Sequence, residues 1–146
     1  MNIYFVCTGN TCRSPMAAAI LKSRNLQRVE VKSAGIYAMP GSPMSHNTQS
    51  VLKEQQIDYD HTAQNVRLED LQWANLILTM TNGHKEALLQ VFPQVADKTF
   101  TFKEYVSEND NLDVFDPFGG DTSTYRATFQ ELSKLMDALE KKILEE

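Results

Sequence analysis

Cysteine is scarce in this chain, with Cys7 and Cys12 the only two among 146 residues. Two cysteines make no disulfide framework, so the sequence reads as a protein of the reducing cytosol. Histidine is equally sparse. His46, His61 and His84 are too scattered to form a metal site with two cysteines, and no metal or other cofactor is expected. No apolar run approaches the roughly 20 residues needed to span a bilayer. The N-terminus lacks a basic stretch followed by an apolar core and a small-residue cleavage site, so no secretory signal is expected. Basic residues are also in deficit, 14 Lys and Arg against 19 Asp and Glu, a net charge of −5. That balance argues against nucleic acid or an acidic membrane surface as the primary partner, although it leaves room for a local basic pocket. Internal repeats, low-complexity tracts and long linkers are missing. The length suits one domain over residues 1–146.

What is present alternates between strand and helix signals. Ile3 to Val6 is short and apolar on both faces, as a buried parallel strand requires. A helix is expected from about Pro15 to Leu26, capped by Ser14, with Met16, Ala19, Ile20 and Ser23 inward. Val29 to Val31 reads as a second strand closed by Ser33-Ala34-Gly35, followed by a Pro- and Gly-rich loop over 37–45 and a helix from Ser45 to Gln56. Residues 57–66 read as irregular. A helical turn at Leu68 to Trp73 leads into the central strand Ala74 to Met80, then an Asn82-Gly83 turn and a helix from His84 to Phe92. Thr99-Phe100-Thr101-Phe102 alternates with period two, like a strand with one open face. Residues 107–113 read as a mobile acidic segment, and 116–120 as a constrained loop. Tyr125, Phe129, Leu132, Met136, Leu139 and Ile143 mark a final amphipathic helix. Alternating strands and helices pack as an α/β open parallel sheet with helices on both faces, whose ligands sit at the carboxyl ends of the strands.

The stretch at that position is Cys7-Thr8-Gly9-Asn10-Thr11-Cys12-Arg13-Ser14-Pro15. A strand, a tight loop and a helix start form an anion site, because loop N–H groups converge where the helix dipole is positive. A thiol placed there gains thiolate character, and an arginine supplies a planar fork of donors for phosphate oxygens. Five residues separate Cys7 from Arg13, enough to wrap one tetrahedral oxyanion. Gly9 and Asn10 tolerate the sharp turn this demands. A buried structural cysteine beside a surface arginine is the plainer alternative, but it leaves the strand, the Gly-Asn turn and the Ser-Pro helix start unexplained together.

The run from Val6 to Ala17 resembles the signature of the low-molecular-weight protein tyrosine phosphatases. Asp116-Pro117-Phe118-Gly119-Gly120 resembles that family's second motif, and Ser33-Ala34-Gly35 and the strand at Leu76 match in order and spacing. The resemblance implies a flavodoxin-like four-stranded parallel sheet and a phosphocysteine intermediate. It implies Cys7 as nucleophile, Arg13 as transition-state stabiliser, Ser14 as support for the thiolate, and the loop Thr8, Gly9, Asn10, Thr11, Cys12 and Arg13 as the phosphate cradle. It also implies Asp116 as general acid and base, where the residues alone suggest only a turn. Asn10, Ser33 and His61 correspond to the family's loop-supporting network. Thr62-Ala63-Gln64 after His61 departs from the usual pattern with an arginine, and Ala18 stands where many relatives carry Glu.

Cys12 has two readings: a small packed side chain, or a redox partner that forms a reversible disulfide with an oxidised Cys7. Full recovery of a peroxide-treated Cys12→Ser protein on reduction would exclude the second. Thr11, where tyrosine-directed members carry a bulky aliphatic residue, and Phe118 with two glycines after it resemble the bacterial protein arginine phosphatase branch. This branch implies phosphoarginine in protein substrates and an opposing protein arginine kinase, with phosphorylated stress regulators as clients. Phosphotyrosine is the alternative substrate. An arsenate reductase would need further cysteines after Cys12, and a non-catalytic phosphate-binding module would have no need of Cys7, Arg13 and Asp116 together.

Overall fold

The structure, a computed structural model, describes residues 1–107 and 111–145. Four strands, β1 (Asn2–Cys7), β2 (Glu30–Gly35), β3 (Leu76–Thr79) and β4 (Thr99–Thr101), form one sheet in the order β2-β1-β3-β4. Every pairing is parallel; Phe5 sits opposite Ser33 on one side and Leu78 on the other. Among the described residues six α-helices connect or flank the strands, α1 (Arg13–Ser23), α2 (His46–Glu54), α3 (Leu68–Trp73), α4 (Asn82–Val91), α5 (Phe102–Val106) and α6 (Thr122–Leu144), with a 3-10 helix at Pro93–Lys98 before β4.

The pleat explains why β1 is apolar throughout. Ile3, Phe5 and Cys7 enter a core built with α1, α2, α5 and α6, while Tyr4 and Val6 enter a second core with Leu71 of α3 and Leu88 of α4. The final helix places Tyr125, Phe129, Leu132, Met136 and Leu139 inward, as its spacing requires, and Ile143 packs at the margin. The flavodoxin-like expectation therefore holds.

Several local expectations are corrected. Helix α1 starts at Arg13, two residues before Pro15, and ends at Ser23 rather than Leu26. Ser14 is consequently inside the first turn and caps nothing; Pro15 is tolerated there because first-turn N–H groups lack helical partners anyway. All of Arg13 to Leu21 is buried, and Ser23, expected inward, is exposed with its hydroxyl donating to the Ile20 carbonyl. Ser33, Ala34 and Gly35 belong to β2 itself. Asn82 and Gly83 open α4 instead of forming a turn, because the Thr81 hydroxyl accepts from the His84 N–H and starts the helix.

At β4 one face is more open, as expected, and the covered face is the threonine one. Thr99 and Thr101 are buried, while Phe100 is half-exposed beside Tyr105 and Lys85. Phe102 leaves the strand and begins α5, driven by a capping box between Thr101 and Glu104. Of the segment 107–113 expected to be mobile, residues 108–110 lie outside the described residues.

Candidate active site

The chain leaves β1 at Cys7, turns through the loop, and enters α1 at Arg13. The turn is made at Asn10, whose φ of 58° lies in the left-handed region. Asn10 is fully buried, and every polar group on it is used. Its side-chain amide donates to Ser14 Oγ at 2.8 Å and Ser33 Oγ at 3.0 Å, and its Oδ1 accepts from the Gln64 N–H at 3.1 Å. Its backbone carbonyl lies 2.9 Å from His61 Nε2. A carbonyl only accepts, so His61 carries its hydrogen on Nε2 and donates. The structure thus brings Asn10, Ser33 and His61 together around the loop, despite the unusual residues following His61.

Gly35 closes the loop from beneath. A Cβ there would lie 2.3 Å from the Thr8 carbonyl oxygen and 3.1 Å from the Asn10 nitrogen, so only glycine allows β2 this close.

Cys7, Thr8, Gly9, Asn10, Thr11, Cys12, Arg13, Asp116 and Phe118 line one pocket of about 260 Å³. Cys7 Sγ lies 2.7 Å from Ser14 Oγ and accepts from the Asn10 N–H at 3.3 Å. Burial raises the Cys7 thiol above its ordinary value, against the downward pull of hydrogen bonds from Ser14 and Asn10 and of the Arg13 charge. The N-terminus of α1 adds positive potential with no side chain capping it, which further favours a thiolate. Arg13 is buried and donates from Nη1 to the Val114 carbonyl at 3.0 Å. Its Nη2 lies 3.6 Å from Asp116 Oδ2.

Asp116 is 56% exposed at its side chain and stands at the mouth. Its Oδ1 accepts from the Phe118 N–H at 3.0 Å, which fixes the carboxylate within the Asp-Pro loop. The two neighbouring carboxylates have other tasks. Asp113 accepts from the Asn82 N–H at 2.8 Å, and Asp121 caps α6 through the Thr124 N–H at 3.0 Å. Phe118 is 80% exposed on the rim. Thr11 is half-buried on the pocket wall, its hydroxyl 3.7 Å from Cys12 Sγ. Both cysteines are free thiols, and Cys12 faces Tyr125 OH at 3.4 Å and Ser45 Oγ at 3.6 Å. Burial and the Cys12 hydrogen bond push the Tyr125 phenol up to about 12.

Sequence reasoning missed the contacts of His84 and Tyr125. His84 Nε2 lies 2.7 Å from Thr8 Oγ1, on the pocket wall. The available signal was Thr81, a capping residue two positions after β3, which points the first turn of α4 at the carboxyl end of the sheet. Among the described residues no three His, Cys, Asp or Glu side chains group as a metal ion would need.

A sulfur nucleophile at the base, a guanidinium and uncapped helix end beside it, and a carboxylate at the mouth can hold a tetrahedral oxyanion and exchange a proton with its leaving group. This loop after the first strand of a parallel sheet defines the class of small cysteine phosphatases. The chain belongs to the low molecular weight phosphotyrosine protein phosphatase family, which matches residues 2–146. It is 50% identical over 141 residues to a protein-arginine-phosphatase of Geobacillus stearothermophilus, covering 97% of this chain and 95% of the relative. It is 35% identical over 139 residues to the low molecular weight protein-tyrosine-phosphatase PtpB of Staphylococcus epidermidis, covering 95% and 96%. A solved structure of the YwlE arginine phosphatase, a mutant with a phosphorylated active-site serine, superposes with a TM-score of 0.94 at 41% identity, covering 98% of this chain and 95% of that one.

Proposed function

We propose that this chain is a cysteine-dependent protein phosphatase that hydrolyses phosphoarginine through a phosphocysteine intermediate. The observation that carries the chemistry is the convergence of Cys7, Arg13 and Asp116 on one pocket. Cys7 thiolate attacks phosphorus while the P–N bond breaks and its electron pair leaves with the guanidine nitrogen. Asp116 protonates that nitrogen, without which guanidine is a poor leaving group. Arg13 and the loop N–H groups hold the equatorial oxygens, where the charge is carried. Water then attacks phosphorus as Asp116 takes its proton; the P–O bond forms, the P–S bond breaks and releases phosphate, and Ser14 stabilises the departing Cys7 thiolate. The phosphorylated active-site serine of the similar YwlE mutant supports a phosphoenzyme step.

Thr11 and the 50% identity to an arginine phosphatase favour phosphoarginine. The threonine hydroxyl leaves polar room for a planar guanidinium that a branched aliphatic chain would crowd. Phosphotyrosine is the second reading, favoured by the similarity to PtpB. In either case the substrates are phosphorylated proteins. With phosphoarginine, a protein arginine kinase must supply the substrate, and we place both in the cytoplasm. Para-nitrophenyl phosphate tests the catalytic reading. The intact chain hydrolyses it and Cys7→Ser does not; an inert intact chain, or an active Cys7→Ser, would overturn the assignment.

A further inference from the structure

His84 is the third residue of α4, and its N–H donates to the Thr81 hydroxyl at 3.0 Å, which places its ring beside the pocket. Nε2 lies 2.7 Å from Thr8 Oγ1, while Nδ1 is buried without a hydrogen-bond partner. The charged groups around the ring are Arg13, Asp113 and Asp116. Burial and the Arg13 charge bring the imidazole down to about 4 against the opposing pull of the two carboxylates. At neutral pH the ring is therefore uncharged and carries one hydrogen.

Two tautomers are open to it. A hydrogen on Nδ1 would be a buried donor with no acceptor, whereas a hydrogen on Nε2 leaves only a lone pair unmatched. Orphaned buried N–H groups are the rarer of the two. Nε2 therefore donates to Thr8 Oγ1. Since that oxygen is accepting from His84, the hydroxyl hydrogen of Thr8 points elsewhere, and Thr8 lines the pocket. The backbone of Thr8 is held from the opposite side, where its carbonyl accepts from the Tyr37 N–H at 2.9 Å. Thr8 is thus held between the turn that follows β2 and helix α4.

We infer that His84 is a positioning residue that makes the Thr8 hydroxyl a side-chain donor to the phosphoryl oxygens of the substrate. This adds to the backbone cradle and to Arg13 a donor whose direction is set from another helix. The inference rests on the phosphatase reading. The two fail separately, because the Cys7→Ser comparison addresses that reading alone.

The test measures competitive inhibition by inorganic phosphate, and kcat and KM for para-nitrophenyl phosphate. The proteins are wild type, Thr8→Val, Thr8→Ser, His84→Phe, His84→Gln and the Thr8→Val/His84→Phe double variant. Losing one such hydrogen bond weakens phosphate inhibition by roughly three- to tenfold in Thr8→Val and His84→Phe. The double variant loses no more than either single variant, because the two side chains act as one unit. Thr8→Ser and His84→Gln, which keep a hydroxyl and a donating nitrogen, retain inhibition. Additive losses, or a His84→Phe protein that loses thermal stability but keeps full phosphate inhibition, would overturn the inference. The tautomer is read independently from the ¹⁵N shifts of the wild-type imidazole: hydrogen on Nε2 is expected, and hydrogen on Nδ1 contradicts it whatever the variants do.

Discussion

Ser14 shows how one side chain can be visible in a sequence and still be misjudged. The Ser-Pro pair resembles a helix start, and the hydroxyl resembles a cap. In the folded chain Ser14 is fully buried, 2.7 Å from Cys7 Sγ and 2.8 Å from the Asn10 amide. The Asn10 amide donates to Ser14 Oγ, so the hydroxyl hydrogen has two acceptors, sulfur at 2.7 Å and the Ala34 carbonyl at 3.5 Å, and the shorter contact favours sulfur. Removing that donor disfavours the thiolate, so Ser14→Ala raises the Cys7 pKa. The pH midpoint of its alkylation by iodoacetamide moves upward, and phosphatase activity falls about tenfold. An unchanged midpoint would remove Ser14 from the account. Thr11 also belongs at this scale: it lines the pocket, and we propose that this one side chain sets the choice between guanidinium and phenol.

At the scale of elements, the loop is held by the strands and helices around it. Its residues bond to α1 through Ser14, to β2 through Ser33, to the 57–66 segment through His61 and Gln64, and to α4 through His84. Gly35 is the closest approach, and a methyl group there would drive into the Thr8 carbonyl. Gly35→Ala is therefore expected to displace the loop and cost at least tenfold in kcat/KM, beyond a destabilisation of about 1–3 kcal/mol. Equal kcat/KM in a folded Gly35→Ala protein would contradict this.

The strands and long helices could be read from the sequence because periodicity reports burial directly, as in β1 and α6. The loop that lines the pocket could be read because Cys7 and Arg13 share one short stretch, whereas Asp116 could be reached only through the family resemblance. What could not be read depends on contacts between distant segments. Period two shows that Thr99, Phe100 and Thr101 alternate, but not which face the neighbouring helices cover. The capping box at Thr101 overrides the strand pattern at Phe102. His84 gains its place only when α4 packs beside the loop, 76 residues away in the chain from Thr8.

For the whole molecule, the two histidines at the site make stability depend on pH. Burial lowers the His61 pKa despite its bond to Asn10, and that of His84 falls to about 4. An unfolded chain takes up these protons near pH 6.5, before the folded one does. The stability contributed by the neutral rings is therefore present above about pH 6.5 and is lost as pH falls toward 4. The melting temperature should decline across that window, and less steeply in His84→Gln. A decline of equal slope in that variant would show that His84 does not carry it. Among the described residues, no helix is long and apolar enough to cross a membrane.

The central claim is that this pocket removes phosphate from arginine. It is tested most directly by kcat/KM on matched phosphoarginine and phosphotyrosine peptides, in wild type and Thr11→Ile. Wild type is expected to favour the phosphoarginine peptide, and Thr11→Ile to shift the preference toward phosphotyrosine. A wild-type protein that prefers phosphotyrosine, with Thr11→Ile no different, would contradict it.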